Sequence, residues 1–96
     1  MSESSDTSVR PAPTREVSVV LPAHLHARPA GALVQAAARF SSTVEIAYDG
    51  KRVNVRSVLA VMSLGALAGA TVVLRGTGAD ADQAVMALAD VLATVE

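Results

Sequence analysis

The 96-residue chain has no cysteine and no tryptophan. Without thiols, disulfides, thiolate catalysis and thiolate zinc sites are excluded, and the composition fits a reducing, cytoplasmic setting. Aromatic residues amount to one phenylalanine, Phe40, and one tyrosine, Tyr48. Apolar residues make up 51% of the chain, but they are mostly Ala, Val and Leu. Such small side chains fill a compact core better than they line a wide ligand cavity. Neither sign of charge dominates. The net charge is −1 and there is no basic block, so nucleic-acid binding has no electrostatic footing. At this length a single domain is expected.

An apolar run long enough to span a membrane is also missing. The stretch Val58 to Leu74 is uncharged, but as a helix it would reach only roughly 25 Å, short of the ~30 Å hydrocarbon core. It is interrupted by Ser63, Gly65, Gly69 and Thr71, and its end favours strand. A buried short helix, a glycine turn and a buried strand are expected instead, without membrane insertion. Residues Met1 to Thr14 are rich in Ser, Thr, Pro, Glu and Asp and have no apolar run. They read as a disordered tail rather than a signal peptide, leaving one domain over 15–96.

Periodicity gives the rest. Arg15 to Leu21 starts with alternating apolar residues and is read as a strand ended by Pro22. Ala30, Leu33, Val34, Ala37 and Phe40 recur at helical spacing, which predicts a helix over Ala27 to Phe40 with Pro29 in its first turn. Thr43 to Tyr48 and Lys51 to Val55 flank Asp49-Gly50, the signature of a hairpin. Ser57 can cap a short helix carrying Val58, Leu59, Met62 and Leu64, with Gly65 at its end. A strand over Thr71 to Arg75, a turn at Gly76-Thr77-Gly78 and a last helix starting at Asp80 or Asp82 follow. The order β-α-β-β-α-β-α predicts an α+β two-layer sandwich, with helices on one face of a partly antiparallel sheet.

The segment Leu25-His26-Ala27-Arg28-Pro29-Ala30 concentrates the chemistry. His26 stands where the helix begins. The first helical N–H groups, at Ala27 and Arg28, have no intrahelical acceptor and form an anion site with the helix dipole. A neutral imidazole keeps a lone pair for attack. A phosphoryl group on it would meet those N–H groups and Arg28, each contact worth ~0.3–2 kcal/mol. That is a loose hold, suited to a carrier that both accepts and donates. A hydrolase would need a metal or a base to activate water. The carboxylates nearest in sequence are Glu16 and Glu45, and His24 with His26 falls short of the three or four ligands zinc takes. No metal and no cofactor are expected. Ser57 is a second candidate site. A phosphate there would be compatible with a helix start but would set about two negative charges beside Val58, Leu59 and Met62, read as an apolar docking patch. That predicts blocked docking without unfolding.

Taken in order and spacing, four segments resemble one family: Leu25 to Ala30, Gly50 to Val58, Met62 to Gly65, and Gly76 to Asp80. The chain from about Glu16 onward is similar to HPr, the histidine-containing phosphocarrier of the bacterial phosphoenolpyruvate-dependent sugar phosphotransferase system. The resemblance implies an open-faced β-sandwich, with three helices over a four-stranded antiparallel sheet. It implies a non-enzymatic monomeric carrier in which His26 takes a phosphoryl group on Nδ1 from enzyme I and gives it to the IIA domains of sugar permeases. Arg28 would assist the transfer. In some lineages a kinase modifies the serine matching Ser57, under a serine kinase/phosphorylase and a catabolite-control regulator. A regulatory partner, or a carrier for a nitrogen-related or dihydroxyacetone kinase branch, are the alternatives. The family usually has Gly where this chain has His24, and often Asn or Ser where it has Ala23, so the loop ahead of His26 departs from the pattern.

Overall fold

The computed structural model describes residues 13–95. Their elements run β1 (Thr14–Val20), α1 (Ala27–Ala37), β2 (Thr43–Tyr48), β3 (Lys51–Asn54), α2 (Val58–Met62), β4 (Thr71–Thr77) and α3 (Ala81–Thr94). The element order is the expected one. The strands form one sheet in the order β1-β4-β2-β3, every neighbouring pair antiparallel. Among the described residues three helices cover this four-stranded sheet, giving an open-faced sandwich.

The core follows from the strand alternation. Val19, Val44, Ile46, Val72 and Leu74 point to the helix side and are buried. They meet Leu33 of α1 and Ala84, Val85, Leu88 and Leu92 of α3, which lie along one stripe and are also buried. The other sheet face presents Val20, Ala47 and Val73 together with cross-strand ion pairs, Glu16 with Arg75 and Glu45 with Arg52, each at 3.9 Å. The hairpin turn is the one Asp49-Gly50 signals. Both residues have positive φ, 52° and 80°, as a twist-matched two-residue turn requires. The uncharged run from Val58 to Leu74 divides into α2, a loop and β4, as expected, and no helix among the described residues is long and apolar enough to cross a membrane.

Several boundaries differ from expectation. β1 starts at Thr14, a residue whose composition places it in the tail, and the backbone N–H of Gly78 donates to the carbonyl of Pro13 at 2.9 Å. The rest of the expected tail, 1–12, lies outside the described residues. α1 ends at Ala37, and Ala38 to Phe40 form a tighter turn in which Arg39 and Phe40 donate to the carbonyls three residues back. β3 stops at Asn54 and α2 at Met62. The largest correction is at Gly76-Thr77, which belong to β4 and not to a turn. Gly76 is buried between Arg15 of β1 and Val44 of β2. A Cβ there would lie 2.6 Å from Cγ2 of Val85 and 3.2 Å from the carbonyl oxygen of Ala81. Glycine is present because α3 crosses the strand there, and the Gly-x-Gly spelling imitates a turn.

Asp80 is the residue before α3, yet its carboxylate makes no cap bond to that helix. It accepts instead from the backbone N–H of Ser41 at 3.0 Å, from that of Ser42 at 2.8 Å, and from the Ser42 hydroxyl. The carboxylate thus ties the α1–β2 turn to the start of α3. The Ser42 hydroxyl, followed by the Ser41 and Ser42 backbone N–H groups, lowers the Asp80 pKa to about 2.

Candidate functional site

His26 is the residue that opens α1. Its backbone is extended (φ −85°, ψ −166°), its carbonyl accepts from the N–H of Ala30 at 3.0 Å, and its side chain makes no capping bond. The imidazole is exposed and so is Arg28. Pro29 is buried at the third helical position, where it anchors the first turn and has no N–H to lose. The helix start therefore offers two N–H groups, those of Ala27 and Arg28, beside an exposed ring and a guanidinium. Among the described residues Arg28 forms no ion pair. Ala23, His24, His26, Arg28 and Pro29 line a shallow recess of about 280 Å³ with no carboxylate in its wall. Arg28 and Pro29 also border an apolar groove formed by Ala32, Val91, Thr94 and Val95.

Geometry separates the two histidines. The rings lie side by side, centroids 5.3 Å apart and tilted by 40°. Nδ1 of His24 accepts from the backbone N–H of Ala68 at 2.9 Å and is committed to that bond. Among the described residues the His26 ring makes no hydrogen bond. Among the described residues no three His, Asp or Glu side chains stand close enough to hold a metal ion. The arrangement suits an acceptor of a small anionic group held by two amides and one cation. It provides no carboxylate base for activating water.

Ser57 is exposed at the start of α2 and caps it, its hydroxyl accepting from the N–H of Ala60 at 3.2 Å. Beyond it, Leu59 is 79% exposed and Met62 36%. Val58 is half-buried against the core at the edge of this surface. Lys51 closes the other end of α2, Nζ donating to the carbonyl of Ser63 at 3.0 Å. Arg56 donates to the carbonyl of Phe40 at 2.9 Å, joining the start of α2 to the turn after α1.

Two features of this surface are not read from sequence. Leu67 is 53% exposed, an apolar side chain on the loop between α2 and β4. That same loop reaches the segment ahead of His26 through the His24–Ala68 bond. A contact spanning 44 residues has no local spelling, and the flanking Gly65 and Gly69, both with positive φ, mark only that the loop is tightly turned.

Comparison with known proteins shows the family. Residues 13–94 match the family model described as the PTS HPr component phosphorylation site. The histidine-containing phosphocarrier protein of Mycoplasma superposes with a TM-score of 0.76 at 31% identity, over 84% of this chain and 100% of that one. The phosphocarrier protein HPr of Bacillus anthracis gives 0.73 at 39% identity, over 83% and 95%. Crh, the catabolite repression HPr of Bacillus subtilis, gives 0.71 at 38% identity, over 88% and 100%. Fold and site together define a phosphoryl-carrier protein rather than an enzyme. The chain belongs to the HPr family of the phosphotransferase system.

Proposed function

We propose that this protein carries a phosphoryl group on His26 between enzyme I and the IIA domains of sugar permeases. The observation that carries the reading is the unengaged ring of His26 at the start of α1, beside the N–H groups of Ala27 and Arg28, while the Nδ1 of its neighbour His24 is occupied. In the transfer step the Nδ1 lone pair of His26 attacks phosphorus. An N–P bond forms as the bond between phosphorus and the donor breaks, and the donor keeps the electron pair. The two amides and Arg28 neutralise the phosphoryl oxygens, and the reverse step on a IIA domain releases them. Contacts of ~0.3–2 kcal/mol each leave the group transferable.

Docking is assigned to Leu59 and Met62 with Val58 at their edge, beside Ser57. A phosphate on Ser57 keeps the cap to Ala60 but places about two negative charges next to Leu59, so partner binding falls while the fold stands. The protein is read as a cytoplasmic monomer whose partners are proteins, among them a serine kinase/phosphorylase and a catabolite-control regulator where the cell has them. Incubation with enzyme I and phosphoenolpyruvate tests the carrier reading. An acid-labile phosphate mapped to His26 is expected, and a chain left unmodified beside active enzyme I contradicts it.

A regulatory role is the second reading, favoured by the similarity to Crh. His26→Ala separates the two. A carrier loses transfer, whereas a protein acting only through Ser57 keeps its partner binding.

A further inference from the structure

His24 stands where the family pattern has glycine, and its ring makes a bond that glycine cannot. Two segments run side by side here, 21–25 ahead of α1 and 66–70 ahead of β4. The N–H of Leu21 donates to the carbonyl of Ala70 at 2.9 Å, and that of Gly69 to the carbonyl of Leu21 at 2.8 Å. At the other end the N–H of Leu25 donates to the carbonyl of Ala66 at 3.0 Å. Between these rungs the backbone supplies none among the described residues, and Pro22 has no N–H to give. The imidazole of His24 fills the gap by accepting from Ala68 at 2.9 Å. Its carbonyl accepts from the N–H of His26, also at 2.9 Å, and its ring flanks the His26 ring.

We propose that His24 is a positioning residue for phosphoryl transfer: its side chain clasps the 21–25 segment to Ala68 and so fixes the loop that presents the His26 ring. The proposal rests on the carrier reading of His26 for its functional half, while the clasp itself is a property of the free protein. The chemistry of the bond sets its condition. The donor is an amide, so Nδ1 must hold its lone pair, and the neutral ring carries its proton on Nε2. Protonation turns Nδ1 into a donor facing a donor, and the clasp opens. The ionisable groups around the ring are His26 and Arg28 in the recess, and the facing segment, Leu64 to Ala70, has none. No carboxylate stands among these groups to hold a protonated His24 in place.

The test uses the full chain with His24→Ala and His24→Asn. Asparagine can offer Oδ1 near the place of Nδ1 and keep the acceptor, while alanine cannot. With His24→Ala, the Ala68 amide should exchange with solvent about three- to tenfold faster. Transfer from phospho-enzyme I should lose a similar factor in kcat, with KM unchanged because Leu59 and Met62 are untouched. His24→Asn should restore both. Equal Ala68 exchange in wild type and His24→Ala overturns the clasp. Faster exchange with unchanged kcat, or an Asn variant that protects Ala68 yet transfers like Ala, overturns the positioning role. Failure of the wild type to take phosphate on His26 contradicts the carrier reading instead, and Ala68 exchange still decides the clasp.

Discussion

Gly76→Ala is a demanding test of how α3 is seated on the sheet. The added methyl would stand 2.6 Å from Cγ2 of Val85, about 1 Å inside a normal carbon–carbon contact. Neither partner has an easy way out. Val85 is fully buried, and β4 is held in register on both sides, by Arg15 of β1 and Val44 of β2. The carbonyl of Ala81, 3.2 Å from the methyl, is backbone in the first turn of α3. Overpacking of this kind costs about 2–3 kcal/mol. Gly76 does not have a positive φ, so alanine gains back about 0.5–1 kcal/mol by restricting the unfolded chain. The net loss is about 1–2.5 kcal/mol, which for a domain this size lowers Tm by roughly 5–20 °C. Thermal unfolding followed by circular dichroism measures it. A double-mutant cycle assigns the cause, because in a Val85→Ala background the clash with Cγ2 is gone and the Gly76 substitution should cost about 1 kcal/mol less. An unchanged Tm for Gly76→Ala, or a cost that is the same in both backgrounds, refutes the seating of α3 through this glycine.

Other expectations follow from the site and its supports. Arg28→Ala should leave Tm unchanged and reduce transfer from phospho-enzyme I by about 2- to 30-fold, the loss of one charged contact to the phosphoryl group. Ser57→Asp keeps an N-cap acceptor and should raise the KM for enzyme I with little change in Tm, whereas Ser57→Ala should destabilise by about 0.5–2 kcal/mol, read by urea unfolding. Asp80 has its folded-state pKa lowered to about 2, so its contribution to stability is present in full above the ordinary carboxyl range and is lost as pH falls from about 4 toward 2. Asp80→Asn should flatten that part of a Tm-against-pH curve, and an unaltered acid limb contradicts the role given to the Ser41–Ser42 contacts.

Legibility followed locality. Strand alternation in Thr43 to Tyr48, the Asp49-Gly50 turn and the stripe from Ala84 to Leu92 are local signals, and each formed the element it spells. His26 ahead of Pro29 is equally local, so the start of α1 is readable from the chain. Failures occurred where a residue answers to a distant neighbour. Gly76 imitates a turn because sequence does not show Val85 lying over it. Asp80 precedes α3 as its position in the chain signals, but the contacts of its carboxylate with Ser41 and Ser42, across the α1–β2 turn, have no local spelling. His24 read as a departure from a pattern, and only the fold reveals Ala68 as its partner.

The most direct test of the central claim is phosphosite mapping after incubation of wild type and His26→Ala with enzyme I and phosphoenolpyruvate, followed by a chase with a IIA domain. One acid-labile phosphate on His26 of the wild type, absent from the variant and discharged by the chase, is the predicted result. A phosphate on His24, a phosphate that the IIA domain cannot remove, or none on either protein beside active enzyme I would contradict it.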